Sequence, residues 1–428
     1  MASRTATQSL KAFLERAVAR GAAPGLSAVA FNRTSAFASA ATGVASLQTN
    51  APLTLDTSLW FASASKSVIS LAVLSLVERH GFDLDSHKDL VKLIPELGKD
   101  YPGSQLWKIF DGKDGNGGYK YREAEKGITL RHLLTHSSGL SADFMSEETA
   151  WFCAEAAKKA GGPIPFGLLE SYNLPRMFEA GENFHYGRSP GYLTLFVQRQ
   201  TGMSLRRALQ DLVFKPFGLE KDLDIFYTDE MRADKAETVF HAGPTFVSMP
   251  FVFEPPQYED MAPEGELPLG DGPVVGKLPA FAEVLRSYLN KTAPSPNAKP
   301  LLSAEMWEKA TADDMKARGI DIPQKPFLTS VMPMGSSSVD VWASPKDENG
   351  DNSLGWTLMQ TLYHRHETKA GVKPGSLEWA GIANTYYFVD PVSGLGGVIT
   401  SQFFPFADAG MIDLKEEFFA WVRENAEQ

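Results

Sequence analysis

One tetrad in this chain carries residue types that can do covalent chemistry at a useful spacing. It is Ser63-Ala64-Ser65-Lys66, the sole S-x-x-K in 428 residues. A serine hydroxyl is a weak nucleophile that needs a base within reach, and a desolvated lysine amine can serve. An apolar, helix-forming stretch follows through Leu71, Leu74, Leu76 and Val77 and is closed by Gly81. Residues three apart on a helix share a face, so Ser63 and Lys66 are expected to meet. A serine in the first turn of a buried helix also lies near orphan backbone N–H groups and the positive end of the helix dipole, which favour a developing anion. The tetrad therefore reads as an activated, acyl-accepting serine. The plainer reading is an N-cap, a role serine fills well, and a chain of this length holds on the order of one such tetrad by chance.

Downstream residues decide between the two. A serine–lysine pair gains from a third group that relays protons and from donors for an oxyanion. The glycine-bounded loop Gly181 to Tyr192 offers Tyr186, flanked by His185 and Gly187. A phenol beside ammonium groups ionises more easily than its reference value near ~10. His185 is the rival base; adjacent side chains diverge, so one of the two is expected to face the site. Taken alone, Tyr186 is a packing aromatic, one of 12 tyrosines. Trp379-Ala380-Gly381-Ile382 opens a predicted strand whose small residues let substrate approach the backbone.

Other chemistry-bearing residues read more plainly. His132 and His136 stand four apart on a predicted helix through 128–140, but the zincin glutamate and a third ligand are missing, so backbone bonding around the following loop is expected. The Asp111 to Gly118 stretch lacks the spacing of a calcium loop and reads as a solvated turn. Cys153, beside Trp151 and Phe152, reads as a core residue. No metal and no cofactor are expected.

The elements that must hold these residues follow from periodicity. A helix is predicted over 7–20, then strands at Gly25–Phe31 and Ser35–Thr42. From Asp83 to about 230 the pattern is mainly helical, including 191–200 and 205–214. Residues from about 240 to 280 form a long irregular excursion, followed by helices near 279–289 and 303–312. Strands return at 327–332, 356–363, 379–389 and 396–404, and an amphipathic helix over 413–424 turns Leu414, Phe418, Phe419 and Val422 inward. Strands at both ends imply one sheet with a helical lobe inserted between them: residues 1–62 and 325–428 form a discontinuous sheet domain, and 63–324 a mainly helical one.

Composition bounds the partners. Hydrophobic content of 43% and charged content of 22% are ordinary for a globular protein. A net charge of −11 without a basic cluster argues against nucleic acid and anionic membranes. One cysteine excludes an internal disulfide, and without a signal-peptide core or a spanning segment the expected compartment is the cytoplasm.

Taken together and in order, several stretches resemble the serine β-lactamase-like superfamily in its class C branch. These are Ser63 to Lys66, Ile128 to Leu140, Gly181 to Tyr192, Thr201 to Leu205, Phe214 to Leu219 and Trp379 to Gly381. Within that branch the chain is most similar to family VIII carboxylesterases and lovastatin-type fungal acyltransferases. The resemblance implies the penicillin-binding-protein-like transpeptidase fold, an α+β (α/β) arrangement with an antiparallel sheet flanked by helices. It also implies Ser63 as nucleophile, Lys66 and Tyr186 as a coupled proton-handling pair, and the backbone N–H groups of Ser63 and Ile382 as the oxyanion hole.

Two departures narrow the substrate. Arg188 stands where β-lactamases and peptidases carry asparagine in Tyr-x-Asn, and Trp379-Ala380-Gly381 stands where they carry Lys-Thr-Gly. Losing that lysine removes a charge and adds an aromatic wall, and a W-x-G third motif is similar to that of the family VIII esterases, so the resemblance implies that esters fit better than β-lactams. Trp379, Gly381, Arg188, Trp151 and Phe152 are the expected substrate contacts, and Phe166, Tyr172 and Phe253 are further candidates for an apolar acyl pocket. Arg188 would hold an anionic substrate or form a surface salt bridge. The expected activity is a serine carboxylesterase working through an acyl-enzyme, with a small-molecule ester or acyl donor and, in the transfer case, an alcohol acceptor. The alternatives are an acyltransferase of secondary metabolism, a β-lactamase or D-amino-acid peptidase, and a non-catalytic scaffold on the same fold.

Overall fold

The two ends of the chain build one sheet. In the computed structural model, the described residues are 4–164, 168–249, 272–292, 300–322, 346, 350 and 352–426. Helix α1 (Arg4–Ala19) buries Ala6, Leu10, Leu14 and Ala17 along one stripe. It leads into β1 (Gly25–Asn32) and β2 (Ala36–Gly43). The remaining strands come from the far end: β3 (Leu354–Trp356), β4 (Leu362–His364), β5 (Leu377–Gly381), β6 (Thr385–Asp390) and β7 (Leu395–Thr400). Their order is β3-β4-β5-β6-β7-β1-β2, antiparallel throughout. The N-terminal hairpin thus docks on the last strand, with Ser27 opposite Thr400.

Helices cover both faces, and side-chain alternation along the strands assigns them. Between the two chain ends lie α2 (Lys66–His80), α3 (Leu130–Leu134), α4 (Glu147–Ala160), α5 (Ser189–Thr201) and α6 (Leu278–Asn290). The chain closes with α7 (Ala409–Glu424), which buries Leu414, Phe418, Phe419 and Val422 as its pattern predicts. On β6, Phe388 packs on Phe419 of α7 at 4.5 Å, while neighbouring Tyr387 meets Phe281 of α6 at 6.2 Å on the opposite face. Helix α2 is buried from Lys66 to Val77, as befits a helix apolar on all sides. Gly81, left-handed at φ 61°, ends it.

Several expected elements break where the backbone turns left-handed. The helix predicted through 128–140 stops at Leu134, because His136 and Gly139 take φ of 51° and 85°. The 356–363 and 379–389 stretches each divide into two strands, at Gln360 (φ 56°) and Asn384 (φ 62°). The 205–214 helix passes from α geometry at Leu205–Leu209 into a π turn at Gln210–Phe214. The Asp111–Gly118 turn lies at the tip of a hairpin, Lys108–Lys113 against Tyr119–Glu123, that periodicity alone did not signal. The strand expected at 327–332, and Phe166 and Phe253, lie outside the described residues.

Candidate active site

Ser63 sits in a single 3₁₀ turn, Ala62–Ser65, that delivers the chain into α2. Ala62 before it is left-handed at φ 46°, a conformation that costs a non-glycine residue energy and persists where the surroundings over-determine it. The surroundings do so from three sides. The Gln402 side chain brackets Trp60, two residues earlier, its Oε1 accepting from Trp60 N at 3.0 Å and its Nε2 donating to Trp60 O at 3.1 Å. Phe61 N donates to Val274 O at 3.0 Å, and Val274 N donates to Ser65 Oγ at 2.9 Å. Finally β5 closes in: a Cβ on Gly381 would lie 2.3 Å from Phe61 O, so this contact requires glycine.

The Ser63 hydroxyl does not cap the helix. Lys66 Nζ lies 3.2 Å from its Oγ, and Tyr186 Oη lies 3.0 Å from the same atom. Lys66 is 1% exposed, and its ammonium sits 5.1 Å from the centre of the Tyr186 ring, within cation–π range. The tetrad and the tyrosine, 123 residues apart in sequence, therefore converge on one oxygen.

The loop carrying Tyr186 is held by the segment after α3. His185 N donates to His136 O at 2.9 Å, and Gly187 N reaches His136 Nδ1 at 3.4 Å. Gly187 is packed so closely that a Cβ would lie 2.4 Å from Leu140 O. His185 turns away from Ser63 and pairs through Nε2 with Ser141 Oγ at 2.8 Å; burial lowers its pKa to about 4. Of the two adjacent candidates, Tyr186 is the one that faces the serine. The Tyr186 ring leans on Trp379 at 5.3 Å, and Trp379 stands perpendicular to Trp356 at 4.7 Å.

This arrangement falls inside a recognised sequence family, since the beta-lactamase family model matches residues 10–417. The chain belongs to the beta-lactamase family. Among relatives, it is 32% identical over 168 residues to monacolin J acid methylbutanoyltransferase of Aspergillus terreus, a match spanning 39% of this chain and 38% of that protein. It is 25% identical over 374 residues to esterase EstB of Burkholderia gladioli, covering 85% and 81% of the two chains. The solved structure of simvastatin synthase from Aspergillus terreus superposes with a TM-score of 0.78 at 22% identity, over 99% of each chain, and shares the fold.

Within this beta-lactamase-family site, the expected substrate contacts fare differently. Trp379 and Gly381 border the Ser63–Tyr186 cluster, but Trp379 is 2% exposed and is walled in by Tyr186 and Trp356. Ile382 follows β5 directly, next to the Gly381–Phe61 approach. Arg188 pairs with Asp143 Oδ1 at 2.8 Å and lies 5.7 Å from the Tyr172 ring centre. Arg188 is largely buried while Asp143 is half-exposed, so the ion pair sits at the boundary between the interior and solvent. Trp151 and Phe152 sit half-buried on α4; Trp151 packs on Tyr119 of the hairpin at 5.3 Å, and no described contact joins either residue to Ser63, Lys66 or Tyr186.

The remaining candidates are accounted for by structure. Cys153 is partly buried, and its thiol is pushed up to about 11 by burial and then by Asp143, the opposite of a reactive thiolate. His132 accepts from Thr129 N at 3.2 Å, and burial followed by the charge of Arg318 lowers it to about 4. Among the described residues no group of three or more His, Cys, Asp or Glu is placed to hold a metal ion, and no helix is long and apolar enough to cross a membrane. Two residues at the site carried no sequence signal of their own. Gln402 has no local pattern, and Gln360 reaches Ser70 Oγ at 2.9 Å and Lys66 O at 3.4 Å from the middle of what reads as a strand.

Proposed function

We propose that this chain is a serine ester hydrolase with a capacity for acyl transfer. The observation that carries the reading is the convergence of Lys66 Nζ and Tyr186 Oη on Ser63 Oγ, at 3.2 and 3.0 Å. Both distances lie within reach for general acid–base exchange. In the first half-reaction Ser63 Oγ bonds to the ester carbonyl carbon and its proton passes to the Lys66–Tyr186 pair. The carbonyl electrons move onto oxygen, toward the backbone N–H groups of Ser63 and Ile382. Collapse breaks the bond to the leaving alcohol, which takes the proton back, and an acyl-enzyme remains on Ser63. In the second half-reaction water or an alcohol attacks that ester, gives its proton to the same pair, and restores the serine.

Ester rather than peptide-like substrates are supported by the two departures from the family pattern. Trp379 offers no charge for a carboxylate, and Arg188 is committed to Asp143 rather than presenting the amide of an asparagine. The names of the relatives, a methylbutanoyltransferase and an esterase, support the same acyl chemistry and leave hydrolysis and transfer side by side. The proposed partners are a small-molecule acyl donor and, for transfer, an alcohol acceptor, with the cytoplasm as the setting of a chain that has one cysteine.

Turnover of a short p-nitrophenyl ester by the parent and by Ser63→Ala tests this reading, with a primary alcohol titrated into the parent reaction. Expected is an initial burst in the parent, none in the variant, and a new ester product that grows with alcohol. Equal turnover by Ser63→Ala would dismiss it, and nitrocefin turnover matching ester turnover would favour the β-lactamase alternative.

A further inference from the structure

His136 is buried, left-handed and outside the trio assigned above, and both peptide N–H groups flanking Tyr186 run to it. On one side His185 N donates to the His136 carbonyl at 2.9 Å; on the other Gly187 N points to the ring Nδ1 at 3.4 Å, longer than the usual N–H hydrogen bond and the weaker of the two anchors. Between these two anchors the imidazole lies against the phenol, with ring centres 4.5 Å apart and planes tilted by 39°. Phe184 and Trp356 close the other sides of the imidazole at 6.1 and 5.4 Å.

The protonation state follows from the setting. Burial, then the positive charge of Lys66, then His185 hold the imidazole far below its ordinary value, so it is neutral. A neutral imidazole has one N–H and one acceptor nitrogen. With Nδ1 facing the Gly187 N–H, the proton belongs on Nε2. A second cation next to Lys66 is thereby avoided and the acceptor for Gly187 is kept.

We propose that His136 is a positioning residue for Tyr186: it clamps the backbone on either side of the tyrosine and supports its ring, so that the phenol oxygen stays on Ser63 Oγ. The inference rests on the role given to Tyr186 above. The contacts described for His136 run to Tyr186 and its flanking peptides and not to the serine oxygen, so it acts through the tyrosine. A phenol free to swing by an ångström would lose the 3.0 Å approach to Ser63, and misplacement of that size costs on the order of 100-fold in rate.

The test is a double-mutant cycle on full-length protein, reading the rate of Ser63 acylation by a p-nitrophenyl ester in His136→Phe, Tyr186→Phe and the double variant. Phenylalanine keeps a ring against Tyr186 but offers nothing to Gly187 N–H. Expected is a loss of about 100-fold in acylation for His136→Phe, with KM held within about threefold. In the Tyr186→Phe background the same change should cost less than about threefold, because residues that act through one group do not add. His136→Asn, which keeps an acceptor near the Nδ1 position and tolerates a left-handed backbone, should restore the rate to within about tenfold of the parent.

Parental rates in His136→Phe, or losses that multiply in the double variant, would overturn the inference. If circular dichroism shows that His136→Phe does not fold, the comparison passes to His136→Ala against His136→Asn. A tenfold or greater deficit of Ala relative to Asn then supports the clamp, and equal rates refute it. Ser63→Ala, run alongside, separates the two levels: its activity would remove the functional reading itself, whereas an inactive Ser63→Ala with an unimpaired His136→Phe would remove the clamp alone.

Discussion

The two walls that meet at Ser63 Oγ are built on different plans. The serine wall is gathered from distant parts of the chain: the Gln402 side chain brackets Trp60, Val274 bonds Phe61 N and Ser65 Oγ, and Gly381 lies on the Phe61 carbonyl. Its parts come from the first sixty-odd residues, the 272–275 segment and the last strands, so the whole fold must form before Ser63 is aimed. The tyrosine wall is one local loop, tied by the His136 carbonyl to His185 N and by a few side chains, namely His136 beneath Tyr186, Ser141 on His185 and Asp143 on Arg188. Contacts from several separate segments make Ser63 hard to displace without harming the fold. A few local polar contacts make the position of Tyr186 adjustable by one substitution.

The largest effect is expected where the walls touch. Lys66→Ala removes the ammonium at 3.2 Å from Ser63 Oγ and should lower acylation by about 10³-fold, read by stopped-flow with a p-nitrophenyl ester. A loss below tenfold would mean that Tyr186 manages without the lysine.

A matched pair of glycine variants then separates the walls. Gly381→Ala sets a Cβ 2.3 Å from the Phe61 carbonyl, and Gly187→Ala sets one 2.4 Å from the Leu140 carbonyl. Both neighbours are main chain and cannot swing aside, so each substitution forces a shift that costs about 1–3 kcal/mol. On the serine wall that cost should appear as lost stability together with lost activity. On the tyrosine wall the loop can yield, so Gly187→Ala should lose more turnover than stability in urea unfolding. Equal profiles for the two would erase the distinction.

Acid should loosen the tyrosine wall. In the unfolded chain His185 binds a proton near its ordinary 6.5, and in the fold only near about 4. Between those values the unfolded state takes up more protons, so the contribution is whole above pH 6.5 and is lost as pH falls toward 4. Urea unfolding at pH 5 should therefore show a deficit of about 1–2 kcal/mol from this residue relative to pH 7, and His185→Gln should flatten that part of the slope. The smallest effect is expected from Asp143→Asn. Its carboxylate is half-exposed opposite the buried Arg188, so the pair should contribute about 1 kcal/mol or less to stability.

What the sequence made legible was local or periodic. The inward set of α7, the serine–lysine tetrad on one helical turn and the pooling of both chain ends into one sheet all follow from spacing. What it concealed depends on distant partners. Trp60 and Gln402 are 342 residues apart, and neither carries a pattern that announces the other. Trp379 reads as an aromatic wall because an indole in place of a lysine suggests a surface, whereas Trp356 and Tyr186 enclose it. Arg188 reads as either a substrate contact or half of a salt bridge, and its partner is named only when the turn before α4 brings Asp143 beside it. The broken strands and the shortened α3 share one cause: non-glycine residues in the left-handed region, which propensity does not foresee.

On the proposed reaction, the oxygen shared by both walls takes up an acyl group. Rapid acid quench of the parent protein with a p-nitrophenyl ester, followed by intact-mass and peptide-mapping mass spectrometry, measures this directly. A single added acyl mass on the peptide containing Ser63, absent from Ser63→Ala, is the expected result; an unmodified Ser63 peptide during steady turnover would contradict it.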